Sequence, residues 1–246
     1  MKRLHLISGP RNISTALMYS FGNRENTTVI DEPMYAHYLV NHPDINHPGR
    51  DEIIESQSTD IEDIISKMSS ENCDTDILFI KNMAHHLVSR DWSFLLDMIN
   101  IFLIRNPRQL IASFAQVIQS PSMLDIGIEV EYEIFEYLQN HNQKCVVLDS
   151  NEVLKNPKNV LSQLCSAVGI NFDPNMLQWP SGPKEEDGVW ARYWYDNVHQ
   201  STGFVKQETS SRAFPEELLP LLENAQKYYD LLCAHSIKAE PNATEI

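Results

Sequence analysis

The chain has 246 residues and a formal net charge of −15, from 19 basic and 34 acidic side chains. A hydrophobic fraction of 42% and a charged fraction of 22% are typical of a globular protein and exclude disordered or collagen-like chains. The acidic excess argues against a nucleic acid or an anionic membrane as partner, and no stretch reaches the roughly 18 apolar residues that span a bilayer. Scattered cysteines and the lack of a secretory signal predict a reduced, cytoplasmic protein.

Short apolar runs alternate with helical patterns along the chain. The apolar runs predict strands over Leu4–Ser8, Thr27–Ile30, Ile77–Ile80, Ile101–Ile104 and Cys145–Leu148. The helical patterns predict helices over Ser14–Phe21, Thr59–Ser69, Pro107–Ile118, Leu124–Asn140, Pro157–Val168 and Pro215–Cys233. We therefore expect a three-layer α/β fold, with a central parallel sheet of about five strands flanked by helices.

Two segments rich in polar residues, proline and glycine, Val40–Ser58 and Trp179–Gly203, interrupt this pattern. Long loops within an α/β domain usually bind or cover ligands, so we expect both to contribute to a site. Residues 1–237 are predicted to form a single domain, followed by a flexible tail over 238–246.

The first segment with chemical character follows the first predicted strand. An apolar run leads through a short polar loop that carries Arg11 into a helix that starts with Ser14 and Thr15. Backbone N–H groups at a helix start, the helix dipole and two hydroxyls can together bind an anion. An ordinary strand–turn–helix capped by Ser14 fits the same spacing. The segment lacks the Gly-Lys pair of a Walker loop, which disfavours ATP hydrolysis.

The second segment follows the fourth predicted strand. Arg105 stands directly after that strand, at the sheet edge where α/β proteins bind ligands. Pro107 starts the next helix, and Ser113 lies about two turns into it. A surface arginine that merely follows a strand is the alternative interpretation.

Together the two segments resemble the sulfotransferases that use 3′-phosphoadenosine 5′-phosphosulfate (PAPS). Pro10–Thr15, Pro-Arg-Asn-Ile-Ser-Thr, is similar to the family's Pro-(Lys/Arg)-Ser-Gly-Thr-Thr loop, which binds the 5′-phosphosulfate. Arg105–Arg108, Arg-Asn-Pro-Arg, followed by Ser113, is similar to the family's motif for the 3′-phosphate. The resemblance implies a P-loop-like sulfotransferase fold. The cofactor-binding residues that it implies are Arg11, Asn12, Ile13, Ser14, Thr15, Arg105, Ser113 and Lys206.

A narrower resemblance, carried by Ser8–Phe21, Asp31–Pro33 and Ser201–Phe204, is to the sulfotransferase-like domain of plant branched-chain aminotransferase-like proteins. Those proteins carry a second domain, for which this chain is too short. The chain departs from the sulfotransferase pattern twice. Ile13 replaces the glycine of the first loop, and the C-terminal Arg-Lys-Gly loop is absent, with Ser201–Phe204 and Lys206 as its candidate substitutes.

The resemblance implies transfer of a sulfuryl group from PAPS to a hydroxyl or amine of a small acceptor, with adenosine 3′,5′-bisphosphate as the other product. Arg11 and its loop would stabilise the charge of the departing bisphosphate. We favour Glu32 as the general base that the acceptor needs, with His85 or His86 as the competitor. Lys81 is the candidate contact to the bridging oxygen. A solvated or Arg11-paired Glu32 and a surface Lys81 are the alternatives.

Two other functions stay open from the sequence alone. The chain could be a non-catalytic phosphonucleotide-binding or regulatory module that keeps both anion loops, or a nucleotide-dependent phosphotransferase. The scattered histidines lack compact metal-binding spacing, so no metal is expected. The acceptor and the oligomeric state do not follow from the sequence.

Overall fold

A computed structural model of the chain describes residues 1–45, 47–87, 91–118, 120–205 and 214–240. The strands in these ranges are β1 (Lys2–Ser8), β2 (Thr27–Asp31), β3 (Ile77–Met83), β4 (Ile99–Ile104), β5 (Val146–Asp149) and β6 (Ser236–Ile237). They form one sheet in the order β2-β3-β1-β4-β5-β6, and every neighbouring pair is parallel. The carboxyl ends of the strands therefore meet at one edge of the sheet.

Helices cover both faces of this sheet. They are α1 (Ser14–Gly22), α2 (Tyr35–Asn41), α3 (Arg50–Ser56), α4 (Ile61–Ser69), α5 (Pro107–Phe114), α6 (Met123–Ile126), α7 (Ile128–Asn140), α8 (Ser150–Lys155), α9 (Pro157–Ala167), α10 (Ala191–Trp194), α11 (Asp196–His199) and α12 (Leu219–Cys233). Within β4, Ile101 and Leu103 pack into the core beside α1 and α9, whereas Phe102 packs into the core beside α4, α5, α7 and α12. The predicted three-layer α/β fold is confirmed.

All five predicted strands are present. In the structure several of them, β3 most of all, are longer than predicted, and a sixth strand, β6, is added. Strand β3 continues to Met83, beyond the predicted end at Ile80. The apolar run stops at Ile80, but the polar side chains of Lys81 and Asn82 are also fully buried, since both are hydrogen-bonded within the protein. Strand β6 was not predicted, since two residues give no recognisable apolar run.

Several predicted helices differ in their bounds. The single helix predicted over Leu124–Asn140 is wrong: Gly127, with a φ of 73°, separates α6 from α7. The helix from Pro107 ends at Phe114 instead of Ile118. The two segments predicted as irregular contain short helices, α3 in the first and α10 and α11 in the second. Each of these is four to seven residues long and surrounded by turn-forming residues, so its periodicity is too brief to recognise.

Among the described residues, no helix combines the length and the apolar character that crossing a bilayer requires.

Candidate active site

A loop between β1 and α1 forms one wall of a cavity of about 630 Å³ at the carboxyl edge of the sheet. The loop approaches α6 so closely that a Cβ on Gly9 would lie 2.5 Å from the Ile126 carbonyl oxygen, which explains the glycine. The Asn12 side chain fastens the loop to β4, since its Nδ2 donates to the Leu103 carbonyl oxygen at 2.7 Å. Every residue of the predicted anion loop from Pro10 to Thr15 lines the cavity.

Arg105 and Ser113 join this wall from β4 and α5. The Arg105 guanidinium donates to the backbone carbonyl of Arg11, and Arg11 Nε donates to Ser113 Oγ at 3.2 Å. The two predicted anion motifs, 94 residues apart from Arg11 to Arg105, are thus directly bonded to each other. Burial lowers the pKa of both guanidinium groups, and for Arg105 the neighbouring Arg11 adds to the effect. Guanidinium groups stay charged in proteins, so this wall carries two cations.

Glu32 follows β2 at the same edge, in a backbone conformation that few residues other than glycine adopt. Its φ is 42°, and three hydrogen bonds hold the peptide units around it. Its N–H donates to the Lys81 carbonyl at 2.7 Å, and its carbonyl accepts from Tyr35 N at 3.0 Å and from Gln57 Nε2 at 3.1 Å. The turn that carries this carboxylate is therefore fixed by the backbone before any ligand binds.

The carboxyl group of Glu32 is buried and pairs with Lys81, not with Arg11. Lys81 Nζ, wholly buried in β3, donates to Glu32 Oε1 at 2.6 Å, to Asp31 Oδ1 at 2.7 Å and to Tyr195 OH at 2.6 Å. The strand register explains the pairing of Lys81 with Asp31, because the two residues are opposite each other on the neighbouring strands β3 and β2. Glu32 is the next residue along the chain after Asp31. Glu32 lines the cavity, whereas Lys81 is not among the described residues that do.

This arrangement sets the ionisation of the buried groups. Burial raises the pKa of Glu32, and the like charge of Asp31 raises it further, against the opposing effect of Lys81. Burial by itself would lower the pKa of Lys81, but the two carboxylates outweigh it and the pKa of Lys81 is raised. Lys81 is thus a permanent cation behind a carboxyl group whose proton affinity is higher than usual.

The two adjacent histidines lie in a 3₁₀ turn over residues 84–86, directly after β3. Both line the cavity, and His86 Nδ1 lies 3.6 Å from Glu32 Oε2. Burial lowers the pKa of His85 to about 3 and places that of His86 well below its ordinary value. Both imidazoles are therefore neutral and weakly basic at neutral pH.

The second predicted loop forms another part of the cavity wall. Its contribution consists of Trp194, Tyr195, Asn197, Val198, Ser201 and Gly203, followed by Phe204 and Val205. Tyr195 belongs to the Lys81 network and is buried, while Trp194 is half-buried and faces the cavity. Lys206, the remaining predicted cofactor contact, lies outside the described residues.

Sequence reasoning missed part of the site. Asp31, Tyr35, His47 and Tyr195 contribute to the Lys81 network or to the cavity, and the sequence assigned none of them a specific role, although His47 and Tyr195 lie in the two loops expected to contribute to a site. Asp31 could have been found, as the acidic last residue of a strand in a sheet with buried strands. The bond between Tyr195 and Lys81 could not, because the two residues are 114 positions apart and only the fold brings them together.

A sequence model described as a sulfotransferase domain matches residues 1–236 of this chain. The chain belongs to the sulfotransferase family. It is 34% identical over 240 residues to the Arabidopsis thaliana "Branched-chain-amino-acid aminotransferase-like protein 1", a match that covers 94% of this chain and 42% of that protein. The chain thus spans less than half the length of this relative.

Solved structures of the sulfotransferase family share the fold. The sulfotransferase domain of the Synechococcus PCC 7002 olefin synthase superposes with a TM-score of 0.57 at 16% identity, covering 91% of this chain and 94% of that domain. The sulfotransferase from Alicyclobacillus acidocaldarius gives a TM-score of 0.53 at 11% identity, covering 96% and 97%. The predicted sulfotransferase fold is confirmed by these two superpositions.

Proposed function

We propose that this chain transfers a sulfuryl group from PAPS to a hydroxyl or amine of a small acceptor. The observation that carries the proposal is a single cavity in which two half-buried guanidinium groups, Arg11 and Arg105, face the same space as the carboxyl group of Glu32. Cations suit the anionic donor, and a carboxylate of raised pKa suits removal of the acceptor's proton.

The residues of the first wall fit the anionic groups of the donor. Arg105 and Ser113 would hold the 3′-phosphate, and Arg11 with the Asn12–Thr15 segment would hold the 5′-phosphosulfate. The first turn of α1 contains no acidic residue, and Ile13 at its N-cap provides no side-chain hydrogen bond, which leaves this helix start suited to an anion. When bound, PAPS supplies the sulfuryl group, and adenosine 3′,5′-bisphosphate is its leaving group.

In the reaction, the acceptor oxygen or nitrogen forms a bond to sulfur while the bond from sulfur to the 5′-phosphate oxygen breaks. The electron pair of the broken bond leaves with the bisphosphate, and the acceptor's proton passes to Glu32. The guanidinium of Arg11 stabilises the negative charge that grows on the leaving oxygen, and preorganised charge of this kind is often the largest single catalytic effect.

Glu32 is the base that the geometry supports over His85 and His86. Its second oxygen, Oε2, is not bonded to Lys81, and its backbone is fixed at the cavity wall. The histidines are buried, and with a pKa of about 3 His85 binds a proton too weakly to act as a base near neutral pH. Lys81 then acts as a positioning residue that orients Glu32, since its three bonds use all its N–H groups.

Replacement of Glu32 by glutamine tests the proposal. Sulfuryl transfer from radiolabelled PAPS to a panel of small alcohols, phenols and amines should fall by about 10²- to 10⁴-fold, the usual contribution of a general base. Affinity for adenosine 3′,5′-bisphosphate should stay unchanged, because Glu32 belongs to the acceptor wall. The matched control is Glu62→Gln on the exposed face of α4. Unchanged transfer in Glu32→Gln would remove this residue from the mechanism, and binding without any transfer in the parent would support a non-catalytic binding module.

A further inference from the structure

The order of the strands divides the cavity into two ends. Arg11 follows β1 and Arg105 follows β4, whereas Glu32 follows β2 and the two histidines follow β3. Adjacent strands lie about 4.8 Å apart, so the strands of Arg105 and Glu32 are separated by three spacings, roughly 14 Å. If the cationic end holds the nucleotide phosphates, the space beside Glu32 is left for the acceptor.

The end beside Glu32, which we call the aromatic end, is lined by Tyr35, His47, Met83, His85, His86 and Trp194. Five of these six lining residues carry rings. The Tyr35 and His86 rings stack with centroids 4.3 Å apart and planes inclined by 19°. Tyr35 OH is 2.7 Å from His47 Nδ1, and the His47 and Trp194 rings lie 6.3 Å apart. Flat, polarisable walls of this kind pack best against another ring.

The aromatic end is also uncharged apart from Glu32. Burial lowers the pKa of all three of its histidines, to about 3 for His85, so they are neutral near pH 7. Burial raises the pKa of Tyr35, which therefore keeps its proton. Among the described residues that line this end there is no lysine or arginine. An acceptor with a carboxylate or phosphate would lose its hydration here without gaining a cation, which is costly.

The whole cavity, at about 630 Å³, lies within the range of about 300–1,000 Å³ that one ligand of drug size fills. A bound nucleotide would occupy part of this volume, so the acceptor would have less than the whole cavity. Resting on the function proposed above, we propose that this end binds an uncharged acceptor whose hydroxyl is carried on a flat ring, and that it discriminates against acceptors bearing a carboxylate or phosphate.

A matched pair of acceptors tests this inference. 2-Naphthol and 6-hydroxy-2-naphthoate share the ring system and the hydroxyl and differ by one carboxylate. With PAPS as donor, kcat/KM for 2-naphthol should exceed that for the naphthoate by about tenfold or more, a difference of about 1.4 kcal/mol. Equal or better transfer to the naphthoate would overturn the inference.

Variants of Trp194 test whether the acceptor binds at this end of the cavity. Trp194→Ala should raise KM for 2-naphthol severalfold and leave the affinity for adenosine 3′,5′-bisphosphate unchanged, while Trp194→Phe should retain most of the parent's KM. Unchanged bisphosphate affinity also shows that the alanine variant is folded. An unchanged KM in Trp194→Ala would contradict the placement of the acceptor beside this ring.

Calorimetry with adenosine 3′,5′-bisphosphate separates the two proposals. Binding of the bisphosphate with transfer to neither naphthol would overturn the acceptor class and leave the proposed cofactor standing. Failure to bind the bisphosphate would overturn the proposed function itself, and the acceptor inference with it.

Discussion

In the proposed function, Arg105 is the side chain that allows the site to prefer a nucleotide with a 3′-phosphate over one without it. Arg105→Ala should weaken the binding of adenosine 3′,5′-bisphosphate by about 1.5–3 kcal/mol, the range for a hydrogen bond to a charged group, or roughly 10- to 100-fold. Affinity for adenosine 5′-phosphate should change much less. The control is Arg3→Ala, because Arg3 stands at the amino end of β1, donates to the Glu71 carbonyl oxygen and is not one of the described cavity residues. Calorimetric affinities that stay equal to the parent's would remove Arg105 from the phosphate site.

The pH dependence of transfer reports on Glu32. A general base must be ionised, and burial raises the pKa of this carboxyl group above the ordinary value of 4.5. Activity should therefore be lost, as the pH falls, at a higher pH than an exposed glutamate would give. The measurement is kcat/KM for 2-naphthol against pH, and the acid limb should disappear from the residual activity of Glu32→Gln. An acid limb at or below the ordinary pKa would contradict the role of a buried base.

Glu131, in the first turn of α7, is a buried carboxyl group that the proposed reaction does not use. It accepts a hydrogen bond from the backbone N–H of Gly9, at the start of the anion loop, and burial raises its pKa well above the ordinary value. Its other oxygen, Oε2, has no hydrogen-bond partner. A carboxyl group whose pKa is higher in the folded than in the unfolded state adds to the free energy of unfolding while it is protonated. That stabilisation is complete below the pKa of the unfolded state and is lost as the pH rises through the pKa of the folded state.

Glu131→Gln keeps the shape and the acceptor oxygen while removing the ionisation. We expect this variant to be more stable than the parent at pH 7.5 and to show a weaker fall of the free energy of unfolding above pH 5. Denaturant unfolding at several pH values measures this, with the exposed Glu133→Gln on the same helix as control. A parent whose stability has the same pH dependence as Glu131→Gln would show that the carboxyl group is ionised in the folded protein.

At the scale of elements, the buried carboxylate of Asp187 connects the segment Trp179–Gly203, which lines part of the cavity, to α1, the helix that follows the anion loop. Asp187 accepts hydrogen bonds from Tyr19 OH in α1 at 2.7 and 2.8 Å, and His199 Nε2 at the end of α11 lies 3.0 Å from it. Asp187→Ala should therefore increase amide hydrogen exchange over residues 190–205 more than elsewhere. The exposed Asp196→Ala is the control within the same segment. Exchange that rises uniformly over the chain would indicate global destabilisation instead of local release.

An element can be predicted from the sequence when the residues that determine it are close together along the chain. The strands of the sheet were recognisable because they are apolar on both faces, and the anion loop and Arg105 because each stands within one contiguous motif. The extension of β3 through Lys81 was not recognisable, since a buried lysine in a strand needs a partner for its charge, and that partner, Asp31, lies on the neighbouring strand. The break at Gly127 was missed because a helix permits a single glycine, and only the positive φ shows that this one ends a helix.

The site itself divides in the same way. The residues of its cationic end belong to two sequence motifs, and in the structure Arg11 is bonded both to Arg105 and to Ser113. The two loops expected to contribute to a site do supply His47 and Trp194 to its aromatic end, but their grouping with Tyr35 was not predicted, because the three residues come from separate segments with no shared pattern. The composition of this end therefore depends on tertiary packing that periodicity and spacing do not encode.

At the scale of the whole molecule, the charge distribution matches the proposed chemistry. The chain is acidic overall, with a net charge of −15, yet its cavity holds two guanidinium groups at one end and a neutral aromatic surface at the other. The chain covers 42% of its Arabidopsis relative, so the region that matches this chain is only part of that longer protein.

The most direct test of the proposed function is thermal unfolding with adenosine 3′,5′-bisphosphate, adenosine 5′-phosphate or ATP. A ligand at about 100 times its Kd adds roughly 2.7 kcal/mol to the free energy of unfolding, which raises Tm by several degrees in a domain of this size. We predict such a rise with the 3′,5′-bisphosphate and a much smaller one with the other two nucleotides. A rise with ATP alone would favour a phosphotransferase, and no rise with any of the three would contradict a PAPS site in this cavity.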